Sequence, residues 1–118
     1  MNHKFAEHFA ADWIASWNAH DLSRILSHYA DAFTMSSPVI IQIANEPSGT
    51  LQGKSAVGRY WAKALQLIPD LRFELISTLV GVNSITLYYK GANGRLAAEV
   101  FYFGPDLKIM SAFAHYAT

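Results

Sequence analysis

Four apolar runs fill the second half of the chain, "LRFELISTLV", "SITLYYK", "RLAAEVFYF" and "LKIMSAFAHY", and only "GVN", "GANG" and "GPD" separate them. A parallel crossover takes a dozen residues or more, so connections this short predict an antiparallel meander. Side chains alternate across a strand, which puts Glu99, Phe101 and Phe103 on one face of the third run and Val100 and Tyr102 on the other. Both faces are therefore mostly apolar. One can pack on helices; the other needs a partner, and a homodimer through this outer sheet face is the expectation.

The helices come from the first half. Phe5, Phe9, Trp13 and Trp17 recur every four residues with Ala6, Ala10 and Ile14 beside them, an aromatic stripe along an amphipathic first helix. "NAHD" ends it, and Asp21 can cap a short second helix whose Leu22, Ile25, Leu26 and Tyr29 turn back to the core. "AFTMSS" and "VIIQIA" are apolar runs of strand type broken by Pro38 and closed by the turn "NEPSG". "KSAVGRYWAKALQLI" reads as a third helix, with Val57, Trp61, Leu65 and Ile68 on one side until Pro69 stops it. Three helices in the N-terminal half and a sheet after them make an α+β chain, read as a single domain over residues 1–118.

Composition narrows the partners. Hydrophobic residues make up 52% of the 118 and charged ones only 15%, against about 25% charged in a typical domain, so apolar surface is in surplus. Nine basic and nine acidic residues cancel, with no run of like charge, which sets aside nucleic acid and anionic membranes. Without cysteine there is no disulfide framework and no thiolate nucleophile or metal ligand. Glu7 and Asp12 interrupt any N-terminal signal core, and no segment reaches membrane-spanning length, so a soluble, cytoplasmic protein is expected.

Most motif readings fall away on spacing. "GTLQGKS" has three residues where a phosphate loop needs four before Gly-Lys, and Gly53 reads better as the turn before a helix. The five histidines form no HExxH and no close ligand pair, so no metal site is predicted. Ser36 and Ser37 lack a GxSxG elbow and a neighbouring His–carboxylate pair; capping the turn at Pro38 suits them better than nucleophilic attack. His115 shares one face of its strand with Phe113 by alternation, and whether that face meets a pocket or a dimer interface turns on a register slip of one residue.

The order helix, helix, strand, helix, meander, together with "WIASWNAHDLSRILSHYADAFTMSSP" and "AEVFYFGPDLKI", resembles the nuclear transport factor 2-like superfamily, and within it the SnoaL-like proteins and ketosteroid isomerase. The resemblance covers nearly the whole chain. It implies a cone-shaped fold in which a strongly curved antiparallel sheet and three helices enclose an apolar pocket, commonly in a dimer. In the isomerase pattern an aspartate base stands where this chain has Ser37. The tyrosine that donates to the developing oxyanion falls at Trp13 and a supporting tyrosine at Trp61, while a second supporting tyrosine survives as Tyr29. The other oxyanion donor, a neutral acid, falls at Glu99. A serine cannot take a proton from carbon unaided, so ketosteroid isomerisation itself is not expected.

What remains is a pocket with one acid. The resemblance places Trp13, Trp17, Tyr29, Met35, Ser37, Trp61, Leu65, Ala97, Phe101, Met110, Ala112, Ala114 and Tyr116 around it, with Glu99 as the catalytic group and no cofactor implied. If Glu99 faces the pocket, desolvation raises its pKa and fits it for proton transfer in an isomerase, dehydratase or cyclase acting on a small hydrophobic ring compound. Otherwise it pairs with Arg95, Lys90 or Arg72 at the rim, or lies on the dimer face. The rival function is a non-catalytic dimeric interaction module whose pocket is filled by its own aromatics. An open cavity of roughly 300 Å³ or more favours the ligand.

Overall fold

The structure is a computed structural model describing residues 1–118. Helices α1 (His3–Asn18) and α2 (Leu22–Leu26) form the hairpin that the aromatic stripe and Asp21 predict. Asn2 caps α1 by accepting from the Lys4 and Phe5 amides, and Asp21 caps α2 by accepting from that of Arg24. Asp12 joins the two helices, accepting from the Arg24 guanidinium and from His28 Nε2 at 2.8 Å. Strand β1 (Tyr29–Ser36) follows.

Helix α3 (Pro38–Ile43) occupies the stretch "VIIQI" that its composition predicts to be a strand. Ser37 and Pro38 explain the difference. Ser37 is extended at φ −159° and ψ 139°, its hydroxyl accepts from the Val39 amide, and Pro38 takes the first helical position, where its missing N–H costs nothing. A start signal of that strength outweighs the strand preference of four β-branched residues. The helices therefore number four. A short β2 (Thr50–Gln52), also unanticipated, leads through Gly53 into α4 (Lys54–Leu67). Gly53 sits at φ +90°, open chiefly to glycine, and makes the turn expected of it before the helix.

The meander forms as its turns predict: β3 (Glu74–Val80), β4 (Ser84–Lys90), β5 (Leu96–Phe103) and β6 (Ile109–Tyr116), each antiparallel to the next. The six-stranded sheet runs β2-β1-β6-β5-β4-β3. One pairing departs from the antiparallel expectation, because β1 lies parallel to β6, with Met35 beside Ala112. Ala97, Glu99, Phe101 and Phe103 point inward from β5 and are buried; Tyr102 is exposed on the outer face.

A single cluster of 24 buried hydrophobic residues lies between this inner face and the helices. The stripe of α1 dominates it: the Trp13 ring stacks on Phe73 and meets Tyr89 and Phe101 edge-on, both at 5.3 Å. Asn18 fastens the end of α1 to the residue before β3, its Nδ2 donating to the Phe73 carbonyl at 3.0 Å and its Oδ1 accepting from the Phe73 amide at 2.6 Å. Asn18→Ala removes both bonds and is expected to cost about 1–3 kcal/mol in urea unfolding; an unchanged midpoint would show that solvent replaces them freely.

Candidate functional site

A cavity of about 340 Å³ opens between the helices and the sheet. Trp13 and Trp17 of α1 form one wall, Tyr60, Trp61 and Ala64 of α4 another, and Val39, Gln42 and Ile43 of α3 a third. The unanticipated helix is thus part of the enclosure. Tyr89 and Glu99 come from the sheet, and Gly91, Ala92, Asn93 and Arg95, around the turn between β4 and β5, line the side that meets solvent. Fourteen of the nineteen lining residues are hydrophobic, so any polar group among them acts in a weakly solvated setting.

Glu99 is 4% exposed. Its strand neighbours in register are Leu87 and Ala114, both buried and apolar. The Tyr89 hydroxyl donates to its Oε1 at 3.1 Å, and no cation pairs with it. The alternative pairing at the rim does not form. Lys90 faces Glu74, Arg95 donates through Nε to the Ala117 carbonyl and lies over the Tyr116 ring, and Arg72 makes no ion pair. Burial pushes the Glu99 carboxyl up to about 7, with the Tyr89 hydrogen bond pulling the other way. Burial also raises the phenols of Tyr60, Tyr89 and Tyr116, and the negative charge that Glu99 can carry raises them further. At neutral pH the cavity therefore presents neutral hydroxyls and an acid balanced between its two forms.

The structure brings Trp13, Trp17, Met35, Trp61, Glu99 and Tyr116 together on the cavity wall. Tyr29 and Phe101 stand behind it. Tyr29 accepts a hydrogen bond from Trp13 Nε1 at 3.0 Å, so the indole at the oxyanion-donor position spends its N–H inside the protein. Ala97, Ala112 and Ala114 are buried on the inner sheet face without lining the cavity, and Leu65 packs at the core edge while Ala64 takes the wall. Ser37 is 4% exposed, caps α3, and lies beside the phenols of Tyr60 and Tyr116.

Met110 is the clear reversal. The β5–β6 register shifts between Tyr102 and Phe103, so Ile109 and Ala112 both turn inward and Met110 is 52% exposed. A bulge inserts one residue and changes the alternation on either side of it. His115 pairs in register with Ala98 and stays on the outer face.

Sequence reasoning missed Tyr60 and Tyr89. The signal for Tyr89 was its parity in "SITLYYK": Ile85, Leu87 and Tyr89 share the buried face, and Tyr89 stands diagonally across from Glu99 once the register is known.

The SnoaL-like domain family model matches residues 10–100. The chain belongs to the SnoaL-like family. A SnoaL-like protein of unknown function from Burkholderia thailandensis is 61% identical, with a TM-score of 0.96 over 99% of this chain and 98% of that one. An NTF2-like protein of unknown function from Cytophaga hutchinsonii, 15% identical, has a TM-score of 0.70 over 95% of this chain and 89% of its own. SalBIII, described as an epoxide hydrolase/cyclase-like enzyme in pyran ring formation in the polyether salinomycin, is 16% identical at a TM-score of 0.78, over 99% and 94% of the two chains. At such identities the last two share the fold alone. No match is found among curated proteins. The SnoaL-like chain contains no helix long and apolar enough to cross a membrane.

Proposed function

We propose that this SnoaL-like protein binds a small hydrophobic, ring-containing molecule in the cavity and acts on it by proton transfer through Glu99. One observation carries the reading: a buried carboxyl with a raised pKa and no cation partner stands in the wall of an apolar cavity of about 340 Å³. That volume is within the range of about 300–1,000 Å³ typical of small-molecule sites, which counts against a pocket filled by its own aromatics. An acid titrating near neutral pH suits either direction of transfer, since both its forms are populated where the protein works. Protonated, Glu99 can donate to an oxygen of the ligand; ionised, it can take a proton from a neighbouring atom.

Isomerisation, dehydration and ring closure are the reaction classes open to such a site, and the fold does not choose among them. The likeness to SalBIII makes cyclic ethers and ring ketones sensible members of a ligand panel. No cofactor enters the reading.

The test is a titration of tryptophan fluorescence with ring ketones, phenols, quinones and cyclic ethers, because three indoles line the cavity. A saturable change, followed by turnover that falls at least tenfold in Glu99→Gln while the protein stays folded, is the expected result. Silence across the panel would favour the interaction module.

The outer sheet face is proposed as the homodimer interface. Tyr102, Tyr88 and Phe113 are exposed there, and Tyr102 meets Phe113 edge-on at 6.0 Å. Sedimentation should show a dimer that Phe113→Glu converts to a monomer, since a charge on an apolar interface has no partner. A wild-type monomer at all concentrations would remove the proposal.

A further inference from the structure

Three hydroxyls meet where α3, α4 and β6 converge. Tyr60 of α4 and Tyr116 of β6 line the cavity, and the Ser37 hydroxyl at the head of α3 stands within hydrogen-bonding reach of both phenols. Ser37 is the one hydrogen-bonding neighbour that either phenol has in the protein. Such a chain cannot satisfy itself. Each hydroxyl has one proton to give and two lone pairs to receive with. Ser37 Oγ spends one lone pair on the Val39 amide at 3.1 Å, so it can accept from one phenol and must send its own proton to the other. Whichever way the chain runs, its last phenol keeps a proton with no acceptor in the protein. That proton is not sealed in. Tyr60 is 7% exposed, but the one side-chain polar atom that the fold both buries completely and leaves unpaired is Trp17 Nε1, so the phenol oxygens are reached from the cavity they line. Trp13 has already spent its N–H on Tyr29.

Resting on the proposed small-molecule function, we infer that Tyr60 and Tyr116, linked through Ser37, form an oxygen-binding subsite that holds a carbonyl or ether oxygen of the ring compound and brings the atoms beside it to Glu99. The strand register supports the second half. Tyr116 pairs with Ala97, which places it diagonally beside Glu99 on the inner face, as Tyr89 is from the other side. Tyr89 occupies Glu99 Oε1 and leaves Oε2 without a protein partner, free for the transferred proton. A hydroxyl on the ligand fits the subsite less well, since it adds a proton to a chain that already has one in excess. A hydrocarbon fits worst. It covers the last phenol and leaves its proton without an acceptor, a penalty of roughly tenfold in affinity beyond what partition into an apolar phase gives.

Two probes of one ring frame test this: 1-tetralone labelled with carbon-13 at its carbonyl, and the hydrocarbon tetralin. A hydrogen bond weakens the C=O bond, so the infrared stretch of bound tetralone should lie below its value in hexane. The shift should persist from pH 6 to pH 9. Glu99, with its carboxyl at about 7, has no proton to donate at pH 9, whereas burial holds the Tyr60 phenol up at about 13. The double change Tyr60→Phe with Tyr116→Phe should return the stretch toward its hexane value and weaken tetralone roughly tenfold, with tetralin little affected. Tetralone that binds the wild type with an unshifted stretch overturns the inference, as does a shift that survives the loss of both phenols. A shift present at pH 6 and lost at pH 9 would make Glu99 the donor, and equal weakening of both probes would mean that the phenols only shape the cavity; either result refutes the subsite. If neither probe nor any panel member binds, the small-molecule reading fails and this inference falls with it. Should the double variant not fold, the wild-type stretch at the two pH values decides alone.

Discussion

Glu99→Gln is expected to be more stable than the wild type at pH 8 by about 3 kcal/mol, with the advantage vanishing toward pH 4. The figure follows from a carboxyl raised from its ordinary 4.5 to about 7 on folding, at about 1.4 kcal/mol for each pKa unit. The sign follows from proton binding. Between those two values the folded state holds a proton on Glu99 that the unfolded state has released, so wild-type stability falls as pH rises through the window. Glutamine keeps the shape and can still accept from Tyr89, but it has no proton to lose. Asp12, whose carboxyl the Arg24 guanidinium holds below its usual value, adds a pH dependence of its own below this window. The quantity to follow is therefore the difference between variant and wild type in urea unfolding at several pH values. A constant difference would mean that Glu99 titrates at the same pH in the folded and unfolded protein, so that burial does not raise its pKa.

Trp13→Ala is expected to cost about 3–5 kcal/mol, the range for emptying a large aromatic site in a close-packed core. Trp13 is 1% exposed and packs against Trp17, Phe73, Tyr89 and Phe101. Domains of this size are stable by only about 5–15 kcal/mol, so the variant approaches the threshold of unfolding. Trp13→Phe separates packing from the hydrogen bond, since it keeps most of the ring and removes the N–H that Tyr29 accepts. Its cost should be about 1–3 kcal/mol, much of it from the phenol left unpaired, and Tyr29→Phe should cost a similar amount by orphaning the indole. Together the two changes should cost less than their sum, because the second removes the group that the first left unsatisfied. Strict additivity in that double-mutant cycle would show that the bond contributes nothing to the fold.

Where local pattern decides structure, the sequence was legible. The four-residue spacing of Phe5, Phe9, Trp13 and Trp17 produces α1, and the short turns "GVN", "GANG" and "GPD" produce the meander. Alternation along β5 puts Glu99 inside beside Phe101, and the family resemblance makes it the acid worth watching. Where two local signals conflict, legibility ends. Val39, Ile40 and Ile41 have strand-forming side chains, yet the cap at Ser37 and the proline after it start a helix, and that helix closes one side of the cavity. Long-range register is harder still. The parallel pairing of β1 with β6, the shift that turns Met110 outward and the diagonal that joins Tyr89 to Glu99 depend on how distant strands align. No residue near Trp17 signals that its N–H lacks a partner, because that depends on which atoms are missing in three dimensions.

The central claim is that a buried Glu99, its carboxyl raised to about 7, stands in the wall of a cavity that takes a ligand. Carbon-13 NMR of the side-chain carboxyl, with the resonance assigned by its loss in Glu99→Gln, reads that state directly. The account predicts a protonated carboxyl at pH 5.5, a midpoint near the value of about 7 that burial imposes, and a further change in that midpoint when a ring compound occupies the cavity. A midpoint in the ordinary glutamate range, about 4.3, unmoved by any ligand, would contradict it and return Glu99 to a structural role.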